Sequence, residues 1–470
     1  MKRALSFLVA LLLILCVGCR KISDGYMSSD TYTDYTSDIT VVSDDGVSNV
    51  DGVVSNIESD ISGKENAGEV TVSRETSSFI DNGVNKPSTD TGISSAVEAG
   101  KQNAIVDSSI NSDDAVEIEQ ADVNTSGTKP LYYNYLTDTQ KQIYRFMKSA
   151  AENMTEGIFS VGAVSSKENN RFSDITIAFR AMSSDNPQIF WLPNSYITSS
   201  DGSSVAFSYH ENGYDINYSI PSSKLSSENK KLNDAVSRLT AEANSLDSRF
   251  KKELYFHDWL CNNVTYGTDG TQNSYTAYGA LVNGKAVCEG YSRAMQLLCD
   301  SVNIPCTVVY GHSKNIGHMW NIIDPGDGWY NLDVTWDDDA EFGVVRHAYF
   351  NVSNSVIKAD HTIFDAVKPN KSYTGSDFFN IYLYDCNSMN YNYFEKNKLI
   401  FNDDMTNNTK LITDALKKGQ THLELLYKNS NSDCASALNQ LNSALYSHGI
   451  YVNKYSNLGN AVVVWWTSIQ

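Results

Sequence analysis

Cys288, His318 and Asp333 follow one another in three short blocks, Ala286-Val-Cys-Glu-Gly-Tyr-Ser, Gly317-His-Met-Trp-Asn and Trp329-Tyr-Asn-Leu-Asp-Val-Thr-Trp. In that order they spell a thiol nucleophile, an imidazole base and a carboxylate that orients the base. If the three side chains meet, the thiol can attack a carbonyl carbon and hold the acyl group as a thioester. Each residue alone would be an ordinary packing residue, so the case rests on what brings them together.

Past the cysteine, Tyr291, Ala294, Met295, Leu298 and Val302 recur at helical spacing, and Pro305 follows, so a helix is expected to start at or just after Cys288. A thiol at a helix N-terminus faces free backbone N–H groups and the positive end of the helix dipole, which favour its thiolate. The backbone N–H of Cys288 is a natural donor to an oxyanion, and Gly290 beside it is expected to let a substrate backbone come close. Cys306 to Gly311, Gly317 to Ile323 and Gly328 to Trp336 read as strands, joined by turns at His312 to Ile316 and at Pro325-Gly-Asp-Gly. Alternation puts His318, Trp320 and Ile322 on one face, and Asn331, Asp333 and Thr335 on one face of the next strand. Neighbouring antiparallel strands would then set His318 beside Asp333, leaving the other ring nitrogen for Cys288.

The string Tyr278-Gly-Ala-Leu-Val-Asn-Gly-Lys-Ala-Val-Cys-Glu-Gly-Tyr, with the histidine and aspartate blocks after it, resembles the bacterial transglutaminase-like superfamily over about Phe250 to His361. The resemblance implies an α+β, papain-like core, a Cys-bearing helix packed on an antiparallel sheet that carries His and Asp. It implies a cysteine-dependent acyltransferase or peptidase with Cys288 as nucleophile, His318 as base and Asp333 as orienter, and Tyr278 and Trp320 lining or supporting the site. His347 and His361 match recurrent downstream positions of the family and are expected to be structural. No cofactor is implied. The acidic run Asp337-Asp-Asp-Ala-Glu341 reads as a solvated loop, since it lacks the spaced oxygen ligands of a calcium site.

Met1-Lys2-Arg3 and the apolar run Ala4 to Val17 read as an export signal, and Gly18 before Cys19 resembles a bacterial lipoprotein signal in which Cys19 is lipidated. Residues 20–128, rich in Ser, Thr, Asp and Gly, are expected to be a disordered tether. That stretch holds 6 basic and 21 acidic residues, a net of −15 out of the chain's formal −20. The remainder is only mildly acidic, which argues against nucleic acid as a partner. The expected setting is therefore outside the cytoplasm, held to the membrane by a lipid, with proteins or cell-wall peptides as substrates.

With Cys16 removed in the signal, Cys19 lipidated and Cys288 free, five of the eight cysteines remain, an odd number that argues against a disulfide framework. Cys299 and Cys306 read as buried small residues, and no zinc site is expected, since CxxC pairs are lacking and the histidines are scattered.

The folded part is expected to divide into an α+β segment at 129–225, a catalytic core at 226–370 and an accessory α/β module at 371–470. Thr137 with Gln140 announces the first helix as a capping box, Gln188 to Thr198 and Ser204 to Glu211 read as strands, and His257 lies on an apolar helix face as a packing residue. Three functions compete. A hydrolase of peptide or side-chain amides resolves the thioester with water, a transglutaminase resolves it with an amine, and an inactive fold serves as a surface binding module.

Overall fold

The structure is a computed structural model, and it describes residues 103–108, 110–123, 130–162, 171–211, 214–216, 218–339, 343–428 and 433–468. The export signal, Cys19 and the tether up to residue 102 lie outside the described residues. Among those described, no helix is long and apolar enough to cross a membrane.

The expectation of a featureless tether fails near its end. Asn103–Asp107 is a strand that pairs in parallel with Ser195–Ser199, and Val116 bridges Phe159. The segment Asn103-Ala-Ile-Val-Asp carries three consecutive apolar residues, enough to extend a sheet that is already formed although too few to build a core. That sheet continues from Ser195–Ser199 into Ser204–Glu211 through the Asp201-Gly202 turn, as expected. The strand expected from Gln188 begins only at Ser195; between Pro187 and Pro193 the chain turns, burying Ile189, Phe190 and Trp191.

The N-terminal segment shares one apolar core with the region that carries Cys288. The cluster runs from Tyr132 and Ile143 through Phe179 and Leu232 to Tyr291, Leu298, Phe379 and Ile381. Two helices of that segment, Asp138–Glu152 with the Thr137 capping box and Arg171–Asp185, form one wall. Ser222–Ala243, Arg249–Asn263 and Cys288–Ser301 form the other. Polar ties fix the walls: Arg293 donates to the Ser183 carbonyl at 2.6 Å, Gln296 to the Ser184 carbonyl at 2.9 Å, and the Tyr132 hydroxyl to the Val308 carbonyl at 2.6 Å.

The sheet that carries His318 is antiparallel throughout, in the order Tyr330–Leu332, Ile316–Ile323, Cys306–Ser313, His361–Ile363. The strand at Cys306 runs two residues further than expected because Lys314 and Asn315 take φ of 49° and 66° and close a two-residue hairpin turn. The strand at Tyr330 is shorter than expected. It ends at Leu332, and Asp333 instead caps the one-turn helix Val334–Asp337.

The last module starts later than 371. Tyr373, Phe379 and Ile381 belong to the main core, and no strand forms at Asn380 to Tyr384 beyond a single bridge from Asn380 to Ala366. The Asn380 side chain takes the place of a strand neighbour, accepting from the Tyr310 N–H at 2.9 Å and donating to the Tyr310 and Phe364 carbonyls at 3.0 and 2.8 Å. The separate apolar cluster gathers Phe401, Ile412, Leu425, Leu441 and Val464. It lies between the sheet Ile400–Phe401, His422–Tyr427, Ala461–Ser468, Ile450–Leu458 and the helices Met405–Lys417 and Cys434–Tyr446.

Candidate active site

Cys288 is the first residue of the helix Cys288–Ser301, after Val287 in extended conformation. The helix is pinned to the histidine strand one turn further on. The Ser292 hydroxyl stands 2.8 Å from the Cys288 carbonyl and 3.0 Å from the Met319 carbonyl, while Asn321 donates to the Ser292 carbonyl at 2.9 Å. Around the thiol, Val308, Tyr310, Met319 and Phe364 form a small apolar cluster, and Cys288 is 6% exposed.

The Cys288 thiol is near enough to His318 to raise the imidazole's pKa, and His318 sets its Nε2 2.7 Å from Asp333 Oδ2. Nε2 being engaged by the carboxylate, Nδ1 is the nitrogen left for the sulfur. The Asp333 carboxylate is saturated: Oδ1 accepts the N–H groups of Thr335 and Trp336 at 3.0 and 3.1 Å, and Oδ2 also takes His361 Nε2 at 3.1 Å. Ending the strand at Leu332 is what makes this possible, because only a residue at a helix start has free N–H groups aimed back at its side chain. Burial works against an Asp333 anion, but its bonds to His318 and His361 outweigh that and hold the carboxyl well below the usual range.

His361 is the partner the sequence assigned only a structural role. Its Nδ1 lies 2.6 Å from Asp360 Oδ1, so it stands between two carboxylates and braces Asp333 from the far edge of the sheet. Gly311 makes the crossing possible. A Cβ there would lie 2.2 Å from the Thr362 carbonyl oxygen and 2.5 Å from the Trp320 ring, which lies over the glycine and meets His361 at 5.3 Å between ring centres.

Of the expected supporting residues, Trp320 does support the site. It is fully buried, stacks on His318 at 5.8 Å between ring centres and donates from Nε1 to Asn331 Oδ1 at 3.0 Å. Tyr278 does not line it: the hydroxyl bonds Glu228 and the ring stacks on Phe190 at 4.6 Å, so it ties down the helix Ser222–Ala243. Gly290 faces the protein, not a substrate. A Cβ there would stand 2.7 Å from Ala286 Cβ and from the Ser274 carbonyl oxygen, so the glycine lets the thiol helix press on that backbone. The first two residues of the acidic run are not solvated either. Asp337 and Asp338 are buried, accepting from the Tyr349 N–H at 3.0 Å and the Tyr291 hydroxyl at 2.6 Å. Tyr266, unremarked in the sequence, is 38% exposed. Burial and the nearby Cys288 and Asp333 raise its hydroxyl's pKa.

Burial disfavours a charged His318, yet Asp333 and the Cys288 contact push its pKa up to about 10. The sign follows: the folded pKa exceeds the free value of about 6.5, so the imidazolium's contribution to stability is complete below that pH and is lost as pH rises through 10. The His318 ring resonances are expected to titrate near pH 10, and in Asp333→Asn well below it. A midpoint near 6.5 in the native chain would mean that the carboxylate does not hold the proton on the ring.

Residues 236–334 match the model of the Transglutaminase-like superfamily, and this stretch contains Cys288, His318 and Asp333. The stretch is thus the transglutaminase-like core of an α+β fold. No curated protein matches the chain. Solved structures similar to it include a TGase, at 15% identity and a TM-score of 0.22 over 33% of this chain and 41% of that one. A candidate cysteine protease from Cytophaga hutchinsonii follows at 22% identity and a TM-score of 0.21, over 33% of this chain and 56% of that one. A candidate protease from Parabacteroides distasonis follows at 11% identity and a TM-score of 0.17, over 30% and 43%. The chain thus covers less than two thirds of each of these structures.

Proposed function

We propose that this chain is a cysteine-dependent acyl-transfer enzyme that acts on peptide or side-chain amides outside the cytoplasm, anchored through Cys19, with water as the ordinary acyl acceptor. The observation that carries the reading is His318, beside the Cys288 thiol, hydrogen-bonded at 2.7 Å to a buried Asp333 whose oxygens are all engaged. In the first half-reaction the sulfur attacks the amide carbon, the C–N bond breaks and His318 passes the thiol's proton to the departing amine. In the second, His318 takes a proton from water, hydroxide adds to the thioester carbon, and the released sulfur recovers the proton from the ring. The backbone N–H of Cys288, at the helix start, is the proposed donor to the substrate carbonyl oxygen. Neighbouring surface proteins or wall peptides are the proposed substrates, on the ground of location.

Iodoacetamide labelling near pH 6, mapped by peptide mass spectrometry, tests the reading. If access alone governs, the part-exposed Cys261 and Cys434 react before the buried Cys288. The expected result is the reverse, Cys288 first by about tenfold or more, as an activated thiol requires. Labelling that follows exposure would favour an inactive binding module. With an amide donor in hand, adding a primary amine separates the two outcomes of the thioester: free acid supports hydrolysis, whereas an amine adduct formed at its expense assigns transamidation.

A further inference from the structure

The histidines that are scattered in the sequence meet at a second place, away from the thiol. His257 Nδ1 and His347 Nε2 converge on Asp258 Oδ1 at 2.9 and 3.1 Å, and all three atoms lie within 4.8 Å of one another. Each ring is held from behind by a carboxylate. His257 Nε2 stands 3.2 Å from Asp337 Oδ2, and His347 Nδ1 stands 3.0 Å from Glu424 Oε2. Such a carboxylate at the outer nitrogen fixes ring orientation and strengthens the inner nitrogen as a donor to a metal ion. Tyr393 adds a further constraint, stacked on His347 at 3.7 Å and 9°. Both imidazoles are buried, while Asp258 is 39% exposed and opens the group to solvent.

We propose that His257, Asp258 and His347 form a binding site for one divalent transition-metal ion of the zinc class, with water completing the coordination. Two imidazole nitrogens and one carboxylate oxygen with an open position are a donor set zinc accepts. The charges fit as well. With the rings neutral, Asp258, Asp337 and Glu424 set against Arg346, which pairs with Glu424 at 2.8 Å, leave two negative charges. A divalent ion cancels them and leaves both outer N–H bonds to carboxylates intact. The ion would join the helix Arg249–Asn263 to the segment after the acidic run and, through Glu424, to the strand His422–Tyr427 of the last module. It acts as a clamp, and the assignment is independent of what the thiol does.

The test uses the purified full-length chain, stripped with a chelator and then titrated with Zn2+, with Co2+ as a spectroscopic probe. Expected are one Zn2+ per chain at micromolar concentration, a rise in Tm, and the visible bands of low-coordinate Co2+. His347→Ala and Asp258→Asn should each weaken Zn2+ binding by about 100-fold, and Asp258→Asn, on the solvent side, keeps the comparison open should the other variant not fold. His361→Ala is the control, because His318, Asp333 and His361 also draw close together; unchanged binding supports the assignment, and loss of the ion there overturns it. So would a native chain that retains no zinc, or variants that bind it as tightly as the native chain does; Asp258 Oδ1 would then be only an acceptor shared by two imidazolium rings.

Discussion

Cys288→Ala is expected to lower acyl transfer by about 10^5-fold or more while moving the denaturation midpoint little. The substitution removes one sulfur from an apolar cluster of Val308, Tyr310, Met319 and Phe364 and leaves the ties of the helix untouched, since those run through the Ser292 hydroxyl and the Cys288 carbonyl. A loss of that size without unfolding is the signature of a nucleophile. The other thiol near an imidazole is the useful contrast. Cys261 Sγ lies 4.0 Å from His257 Nε2, but that nitrogen is already engaged by Asp337, and burial pushes the Cys261 thiol up. Cys261→Ala should therefore keep turnover. Paired measurements of kcat/KM and urea midpoint on both variants decide the matter: activity that survives in Cys288→Ala would move the chemistry elsewhere in the fold.

The three candidate residues were legible because their local signals are strong and consistent. A periodic helix begins at Cys288, and His318 falls in a strand bounded by turns. What the sequence hid depends on distance along the chain. His361 reaches Asp333 across the sheet only because Gly311 leaves room for Trp320, a condition that involves residues fifty apart and leaves no periodic mark. His257 and His347 likewise meet although His347 stands 89 positions after Asp258, with Glu424 arriving from another module. The misplaced strand end at Asp333 has a plainer cause. Alternation in Tyr330-Asn-Leu-Asp-Val-Thr carries straight on, and nothing in it says that the aspartate side chain will take up the Thr335 and Trp336 N–H groups and turn the backbone into a helix. The glycines misled for a related reason: Gly290 is a close-approach residue, as expected, but what approaches is the chain itself.

Asp333→Asn is expected to cost about 10^4-fold in kcat, with a much smaller effect on folding. Asparagine caps a helix as well as aspartate does, so its Oδ1 keeps the Thr335 and Trp336 N–H groups and the turn survives. The other end of the side chain reverses its character. Oδ2, which accepts from His318 at 2.7 Å and from His361 at 3.1 Å, becomes an NH2 group that can only donate. His318 must then offer Nε2 as an acceptor and carry its proton on Nδ1, the nitrogen facing the thiol, where a base needs a lone pair. The loss therefore falls on proton transfer and not on substrate binding, and KM should stay within a few-fold. His361 supplies the control: in His361→Gln the Asp333 carboxylate keeps His318 and both backbone donors, so a far smaller loss is expected. A kcat for Asp333→Asn within tenfold of the native value would mean that His318 finds its orientation without the carboxylate; equal losses in the two variants would mean that Asp333 acts by holding the sheet together.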